Sequence, residues 1–189
     1  MEKIQLNNTY AYSEFITEDE QSYLLDWINT NTNTSQNKRI ILPPKDIPNV
    51  PLELIEKYKL KIVQLENLKN FLPKPKSGDF VWIEREGSTI NLHLDGNFDS
   101  YVHTRYNLVL SYSNEGGHSI YGDNMNVLQE RMLWKCIAGK VRHGATKIIG
   151  DKPRITLSFS FFIEDNELSE EYTKIKSFDI IPENIKELM

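Results

Sequence analysis

The sequence has a single cysteine, Cys136, among 189 residues, so no disulfide can form within the chain. This excludes a small secreted fold held together by disulfides and suits the reducing cytosol. The sequence also lacks any run of about 18 apolar residues, the length that a transmembrane helix requires. Its first residues, Met1 to Gln5, are mostly polar, which is not typical of a signal peptide. We therefore expect a cytoplasmic protein without a membrane-spanning segment.

Basic residues are in the minority. The chain has 22 lysines and arginines against 27 aspartates and glutamates, which gives a formal charge of −5. A surface with this average charge does not attract the phosphate backbone of nucleic acids or anionic lipids. Neither a nucleic-acid partner nor a membrane partner is expected.

The length and the apolar content indicate one folded domain. Hydrophobic residues make up 39% of the chain and aromatic residues 11%, which is enough material for a core. Domains commonly have roughly 100 to 200 residues. We divide this domain into an N-terminal helical support (1–79), a core (80–163) and a C-terminal tail (164–189), in which 182–188 is a candidate helical turn.

Two helices are predicted in the first part of the chain. Thr17 and Glu20 have the spacing of a capping box, which indicates that a helix begins there. A polar stretch rich in asparagine and threonine follows at 29–37 and is typical of a loop. A second helix is predicted after Pro51, with apolar residues at helical spacing as far as Leu68, and ends at the prolines of 73–75.

From residue 80 onward the pattern changes to short runs that favour β-strands. They are separated by turn-forming glycine and aspartate residues and lie at 80–83, 90–93, 106–110, 132–134 and 154–161. Several short strands preceded by helices predict a mostly β fold, a sandwich or small barrel with the helices packed outside.

A candidate metal site begins at His93 and Asp95. Two residues apart in a strand, an imidazole and a carboxylate lie on the same face and can hold one ion. A third ligand should come from far along the chain, and His143 lies 50 residues downstream. Two histidines and one carboxylate on one side of an ion are the ligand set of non-haem Fe(II) oxygenases.

Arg154 opens the strand predicted at 154–161. Its planar guanidinium group suits a carboxylate ligand, because two parallel hydrogen bonds can form. Pairing with a glutamate or aspartate across the sheet is the alternative.

Three segments together carry a resemblance to a known group of enzymes. They are 86–95, which contains His93 and Asp95, then His143, and then 153–159, which contains Arg154. This ordered set resembles the Fe(II)- and 2-oxoglutarate-dependent dioxygenase superfamily, in particular the branch with prolyl-hydroxylase-like and AlkB-like proteins. The similarity covers 80–162, and 15–20 resembles the opening helix of that branch.

The resemblance implies a double-stranded β-helix, the jelly-roll fold also found in cupins. It implies Fe(II) on His93, Asp95 and His143, and 2-oxoglutarate bound through Arg154 with Thr156 as a second contact. Ascorbate would support the activity, in which 2-oxoglutarate is converted to succinate and carbon dioxide.

Two residues depart from the pattern of that superfamily. Glu84 stands where many relatives carry a tyrosine nine residues before the first metal histidine. Tyr106 or Tyr101 is the candidate to replace this contact with 2-oxoglutarate, and half-buried packing is the alternative for either. Ser160 stands where AlkB-type nucleic-acid demethylases carry an arginine, which argues against base repair, as does the net negative charge.

Other polar residues are expected around the mouth of the barrel. His103 and His118 are predicted to lie in loops, and a substrate-gating role is a hypothesis for His118 or Arg105. The regions 29–37 and 111–125 are expected to form the mouth.

The sequence thus predicts a dioxygenase that hydroxylates an aliphatic carbon of an amino-acid, peptide or protein substrate. The alternatives are an AlkB-like oxidative demethylase of nucleic acid, a cupin-like domain that binds metal without turnover, and a zinc hydrolase with the same ligands.

Overall fold

A computed structural model of the chain describes residues 1–32, 37–73 and 78–175. The predicted turn at 182–188 and part of the loop at 29–37 lie outside these residues. Within them there are three α-helices, α1 (Glu18–Asn31), α2 (Leu52–Leu65) and α3 (Asp165–Tyr172), and a short 3-10 helix, Pro44–Asp46. The strands are β1 (Lys3–Gln5), β2 (Tyr10–Tyr12), β3 (Arg39–Leu42), β4 (Phe71–Pro73), β5 (Phe80–Glu84), β6 (Ile90–His93), β7 (Tyr101–Ser111), β8 (Glu115–Gly116), β9 (Ser119–Tyr121), β10 (Asn124–Asn126), β11 (Leu133–Cys136), β12 (His143–Ala145), β13 (Ile148–Ile149) and β14 (Arg154–Glu164).

The strands form two facing antiparallel sheets. In the described part of the chain, the larger sheet has the order β1-β2-β11-β7-β14-β5-β3, with β4 also paired to β14. The smaller sheet has the order β10-β9-β12-β6, and β13 pairs with β8 separately. Side chains from both sheets pack together in one buried cluster, for example Tyr121 of β9 against Trp134 of β11. The prediction of a jelly-roll fold, mostly β with flanking helices, is confirmed.

In the central strand β14, apolar and polar residues alternate, and this alternation determines which side chains enter the core. Alternate residues of this strand are apolar and pack in the core beneath the helices: Ile155, Leu157, Phe159, Phe161 and Ile163. The residues between them are mostly polar: Arg154, Thr156, Ser158 and Ser160. Successive side chains of a strand point to opposite faces. The polar row therefore faces the space between the two sheets.

The first two helices cover the outer face of the larger sheet. Helix α1 begins with the predicted capping box, in which Thr17 accepts a hydrogen bond from the Glu20 backbone and the Glu20 side chain accepts one from Thr17. Its buried residues, and those of α2, join the core cluster that contains the apolar side of β14. None of the helices in the described part of the chain is long and apolar enough to cross a membrane.

The N-terminal part of the chain differs from its prediction in two respects. Helix α2 ends at Leu65, well before the prolines of 73–75, because Asn67 adopts a left-handed φ of 50° that a helix cannot continue through. The strands β1 to β4 were not predicted, and they add strands from the first 79 residues to the larger sheet. These strands are only three or four residues long, so they are ordered mainly by pairing with their neighbours.

Candidate metal and cosubstrate site

The two candidate histidine ligands lie on adjacent strands of the smaller sheet. His93 ends β6 and His143 begins β12, and they are directly opposite each other in the antiparallel register. Their ring centroids are 4.3 Å apart. Asp95 follows β6 by two residues, and one ligand atom from each of the three side chains lies within 4.8 Å of the others. The structure therefore brings together all three residues that the sequence predicted as metal ligands.

Each histidine has one ring nitrogen engaged with the backbone. Nδ1 of His93 is 2.8 Å from the carbonyl oxygen of Asn91, and Nδ1 of His143 is 3.2 Å from that of Val141. A carbonyl can only accept, so Nδ1 donates and carries the hydrogen in both rings. This leaves Nε2 of each ring as the nitrogen that can bind a metal ion once it is deprotonated, which is the arrangement that metal-binding histidines adopt.

Gly144 allows the two strands to approach closely next to His143. A Cβ at this position would lie 2.4 Å from the carbonyl oxygen of Ile90 on β6. The pairing of β12 with β6 is also irregular between His143 and Ala145. The absence of a side chain at Gly144 therefore contributes to the position of His143.

The carboxylate of Asp95 is fixed from one side. Its Oδ2 accepts a hydrogen bond of 2.7 Å from Nε of Arg105 and lies 3.1 Å from Nδ1 of His103. The other oxygen, Oδ1, lies 3.5 Å from Nε2 of His93. The backbone of Asp95 donates to the carbonyl of Ala138. Two residues of β7 thus hold one carboxylate oxygen and leave the other directed at the two histidines.

The charges of this cluster are set by its neighbours. Burial opposes ionisation of Asp95, but hydrogen bonds from His103 and His93 and the charge of Arg105 hold the pKa of its carboxyl far below the ordinary value. Burial, and then the proximity of His93, lower the pKa of His143 to about 4. The hydrogen bond to Asp95 raises the pKa of His93 despite its partial burial. An ionised carboxylate beside a neutral imidazole is suited to binding a divalent cation.

A cavity between the two sheets connects His93 and His143 to Arg154 and Thr156. Its volume is about 50 Å³. Arg154 is buried, and Nη2 donates to Oγ of Ser119 at 3.1 Å. Its Nε and Nη1, and Oγ1 of Thr156, have no hydrogen-bond partner within the described residues. Since buried polar groups normally find partners, these donors suit an acidic ligand in the cavity.

Glu84 also lines this cavity and is the ionic partner of Arg154. The two residues are opposite each other in the pairing of β5 with β14, and Oε2 of Glu84 lies 3.4 Å from Nη1 of Arg154. The alternative considered from the sequence, an acidic partner across the sheet, is therefore present. Glu84 contacts only Nη1, so Nε of Arg154 still has no hydrogen-bond partner within the described residues.

Tyr106 does not lie in this cavity, so its prediction as a 2-oxoglutarate contact is wrong. It is fully buried on the opposite face of β7, where its hydroxyl donates to Glu66 at 3.1 Å. Tyr10 and Tyr12 donate to the same carboxylate. The reason is the alternation of the strand: residues 105 and 107 face the cavity, so residue 106 faces the helices.

His103 is the second correction. It is not in a loop but buried on β7, where its ring stacks on Phe162 with centroids 5.1 Å apart and Nε2 lies 3.2 Å from Oγ of Ser160. His118 does lie in the connection before β9, where its ring contacts Tyr112. The roles of His103 and Arg105 beside Asp95 were missed. The available signal was their spacing of two residues, which places both side chains on one face of a strand. The strand was predicted to begin only at residue 106, so this signal was not used.

Arg105 also occupies the space near Ser160. Its Nη1 lies 3.2 Å from Oγ of Ser160 and 3.4 Å from that of Ser158. The guanidinium group is held by Asp95, so it fixes this candidate ligand rather than facing solvent.

Comparison with known proteins supports the fold. Neither a protein-family model nor a curated protein sequence matches the chain. Solved structures do match. The viral collagen prolyl hydroxylase of Paramecium bursaria Chlorella virus-1, in complex with 2-oxoglutarate, gives a TM-score of 0.62 at 14% identity, over 83% of this chain and 97% of that one.

Two further structures are similar. HygX from Streptomyces hygroscopicus, with nickel and 2-oxoglutarate bound, gives a TM-score of 0.64 at 9% identity, over 95% of this chain and 89% of that one. A prolyl-4-hydroxylase from Pseudomonas putida gives 0.53 at 14% identity, over 83% and 92% of the two chains. The chain thus has the fold of 2-oxoglutarate- and Fe(II)-dependent oxygenases.

Proposed function

We propose that this protein is a Fe(II)- and 2-oxoglutarate-dependent dioxygenase that hydroxylates an aliphatic carbon of an amino-acid, peptide or protein substrate. In this reaction 2-oxoglutarate is converted to succinate and carbon dioxide. The metal ligands are His93, Asp95 and His143, and the cosubstrate contacts are Arg154 and Thr156.

The observation that carries the proposal is the convergence of two imidazole rings and one carboxylate beside a cavity that also holds a buried arginine. The ligand atoms of His93, Asp95 and His143 lie within 4.8 Å of one another. Three ligands on one side of an ion leave other positions open, as oxygen chemistry requires. When bound, Fe(II) supplies the activation of oxygen, and the protein contributes binding and orientation.

The residues of this chain have separate tasks in the proposed site. The backbone carbonyls of Asn91 and Val141 orient the two imidazole rings. Arg105 and His103 hold one oxygen of Asp95. Nε and Nη1 of Arg154, which have no hydrogen-bond partner within the described residues although Glu84 lies near Nη1, would bind the far carboxylate of 2-oxoglutarate, and Thr156 offers a hydroxyl on the same strand.

We propose only the chemical class of the substrate. One neighbour is a collagen prolyl hydroxylase, and another, HygX, has a structure with hygromycin B bound. Both a peptide side chain and a small polar molecule are therefore substrates to test. Leu94 and Phe98, beside Asp95, are about half exposed and offer an apolar surface near the ligands. A nucleic-acid substrate is not favoured, since the net charge of the chain is −5.

A second candidate is a cupin-like domain that binds metal without turnover. The contact of Glu84 with Arg154 favours it, because a carboxylate of the protein already neutralises the arginine. The two candidates differ in one respect that can be measured, which is consumption of 2-oxoglutarate.

The test is formation of succinate from 2-oxoglutarate in air with Fe(II) and ascorbate. The wild type is compared with His93→Ala and Arg154→Gln, and with Arg85→Gln as a control, because Arg85 bonds the carbonyl of Asn37 outside the cavity. Succinate formation by wild type and control alone supports the proposal. Binding of Fe(II) by the wild type without succinate formation, even with amino acids, peptides and small polar molecules added, favours the second candidate. Stimulation by a methylated oligonucleotide would instead indicate demethylation.

A further inference from the structure

Glu84 lies in the middle of a row of three charged residues that crosses the larger sheet. It is directly opposite Arg39 in the pairing of β3 with β5, and directly opposite Arg154 in the pairing of β5 with β14. One carboxylate oxygen lies 3.4 Å from Arg154 and the other 4.0 Å from Arg39. Opposite charges on directly opposed residues attract, so both arginines act on one carboxylate.

The two arginines differ in their surroundings. Arg154 and Glu84 are both buried, with side chains 6% and 3% exposed. Arg39 is partly exposed, and its guanidinium group lies over the ring of Trp82 at 4.8 Å. A buried guanidinium group requires a counter-charge, whereas a partly exposed one is solvated. Arg154 therefore depends on Glu84 more than Arg39 does.

Glu84 also occupies space where an acidic ligand would bind. It lines the same cavity as Arg154 and Thr156, and the cavity measures about 50 Å³. Ligand pockets commonly have roughly 300 Å³ or more. Because Glu84 lies 3.4 Å from Nη1 of Arg154, it is the side chain that a dicarboxylate pairing with Arg154 would displace, and Arg39 offers it an alternative partner.

We infer that Glu84 is an internal competitor for the Arg154 guanidinium group and sets the affinity of the cavity for an acidic cosubstrate. This inference rests on the proposed function, in which Arg154 binds the far carboxylate of 2-oxoglutarate. Glu84 neutralises Arg154 while the cavity is empty. Binding of a dicarboxylate transfers Glu84 toward Arg39, so that the row ends with two guanidinium groups and two carboxylates.

Replacing Glu84 by glutamine removes the competing charge and keeps the size of the side chain. The Glu84→Gln variant should bind 2-oxoglutarate more tightly by about tenfold or more, since charges this close interact strongly in a buried site. It should bind 2-oxopentanoate, which has the same chain length without the far carboxylate, with little change. The comparison separates loss of charge competition from a general change in cavity shape.

The experiment is calorimetric titration of both 2-oxo acids into the Mn(II)-loaded protein. Tighter binding of 2-oxoglutarate by Glu84→Gln, without a similar gain for 2-oxopentanoate, supports the inference. An equal gain for both acids, or equal or weaker binding of 2-oxoglutarate, overturns it. If Glu84→Gln binds 2-oxoglutarate equally or more weakly, the proposed function still holds provided that the wild type binds 2-oxoglutarate and Arg154→Gln does not.

Two other results separate the inference from the proposed function. Binding of 2-oxoglutarate by Glu84→Gln alone supports the competition and contradicts the proposed function of the natural chain. No binding by either protein contradicts both.

The Arg39→Gln variant provides a second test if Glu84→Gln does not fold. Without Arg39, the Glu84 carboxylate has only Arg154 as its ionic partner in this row, so 2-oxoglutarate should bind several-fold more weakly than to wild type. Unchanged or tighter binding by Arg39→Gln would contradict the transfer of Glu84. The control is Arg85→Gln. Arg85 directly follows β5, and its guanidinium group lies outside the cavity.

Discussion

His93 and His143 lie directly opposite each other on β6 and β12, with Nδ1 of each ring within hydrogen-bond distance of the carbonyl oxygen two residues before it. The same local arrangement on two paired strands orients both Nε2 atoms by backbone contacts. Such contacts fix the ring orientation that a metal site requires. The two candidate histidine ligands are therefore oriented by the sheet itself.

Gly144 should be required for this arrangement. In Gly144→Ala the new methyl group would lie 2.4 Å from the Ile90 carbonyl oxygen, so β12 must move away from β6 and carry His143 with it. We expect a lower melting temperature and at least about tenfold weaker Mn(II) binding. The matched control is Gly78→Ala, since no described atom lies within 4 Å of a Cβ added at Gly78. Normal metal binding by Gly144→Ala would show that the close approach is not needed.

Arg105 should act on the metal through Asp95. In Arg105→Lys the positive charge stays, but the Nε–H that donates to Oδ2 at 2.7 Å is lost. We expect metal affinity to fall roughly 10- to 100-fold, as is typical when a residue that orients a ligand is changed. Mn(II) titration measures this in the absence of turnover. A folded Arg105→Lys protein with wild-type affinity would refute the role, and Arg85→Gln controls for loss of a guanidinium group elsewhere.

His103 should support the same oxygen of Asp95. His103→Gln keeps a polar side chain of similar length but cannot reproduce the ring that stacks on Phe162 and lies 3.1 Å from Oδ2. Metal affinity should again fall, and the double variant with Arg105→Lys should lose less than the sum of the two single losses of binding free energy, because both residues act on one atom. Additive losses would mean that the two residues act separately.

Tyr106 should contribute to stability and not to cosubstrate binding. Tyr106→Phe removes the hydroxyl that donates to the ionised Glu66, so the free energy of unfolding should fall by about 1.5–3 kcal/mol. Calorimetric titration of 2-oxoglutarate should give the wild-type affinity. A weaker affinity in this variant would mean that the cavity extends across the sheet, contrary to the structure.

Glu66 should make stability depend on pH. Burial opposes its ionisation, but Lys135 and hydrogen bonds from Tyr10, Tyr12 and Tyr106 lower its pKa below the ordinary 4.5. A carboxyl with a lowered pKa in the folded state stabilises it above the ordinary pKa, and this contribution is lost as the pH falls through the folded-state pKa.

The matching variant is Glu66→Gln. At pH 7 it should be less stable than wild type by about 3–5 kcal/mol, and the difference should shrink as the pH falls below 4.5. Urea unfolding at several pH values measures this, with Glu170→Gln, an exposed position on α3, as the control. A difference that does not depend on pH would contradict an ionised Glu66.

The strongly patterned parts of the fold could be predicted from the sequence. The spacing of His93 and Asp95 and the alternation from Arg154 to Phe161 are local signals, and both strands occur where they were predicted. The short strands β1 to β4 have no comparable signal, because their order comes from neighbours distant in sequence. The second helix ends early at Asn67, whose left-handed φ is not evident from an apolar pattern that continues to Leu68.

The contacts that depend on register could not be predicted. That Glu84 faces Arg154 depends on how β5 aligns with β14, which the residues of either strand alone do not determine. Tyr106 was assigned to the wrong face because Arg105 and Asn107, its neighbours on β7, were not recognised as cavity residues. His103 was missed because the strand was predicted to begin at residue 106, whereas β7 begins at Tyr101.

The most direct test of the central claim is a crystal structure of the wild-type chain grown with Mn(II) and 2-oxoglutarate. We expect one ion bound by Nε2 of His93, Nε2 of His143 and Oδ1 of Asp95, with the far carboxylate of 2-oxoglutarate on Arg154. An ion bound elsewhere, or 2-oxoglutarate that does not contact Arg154, would contradict the proposed site.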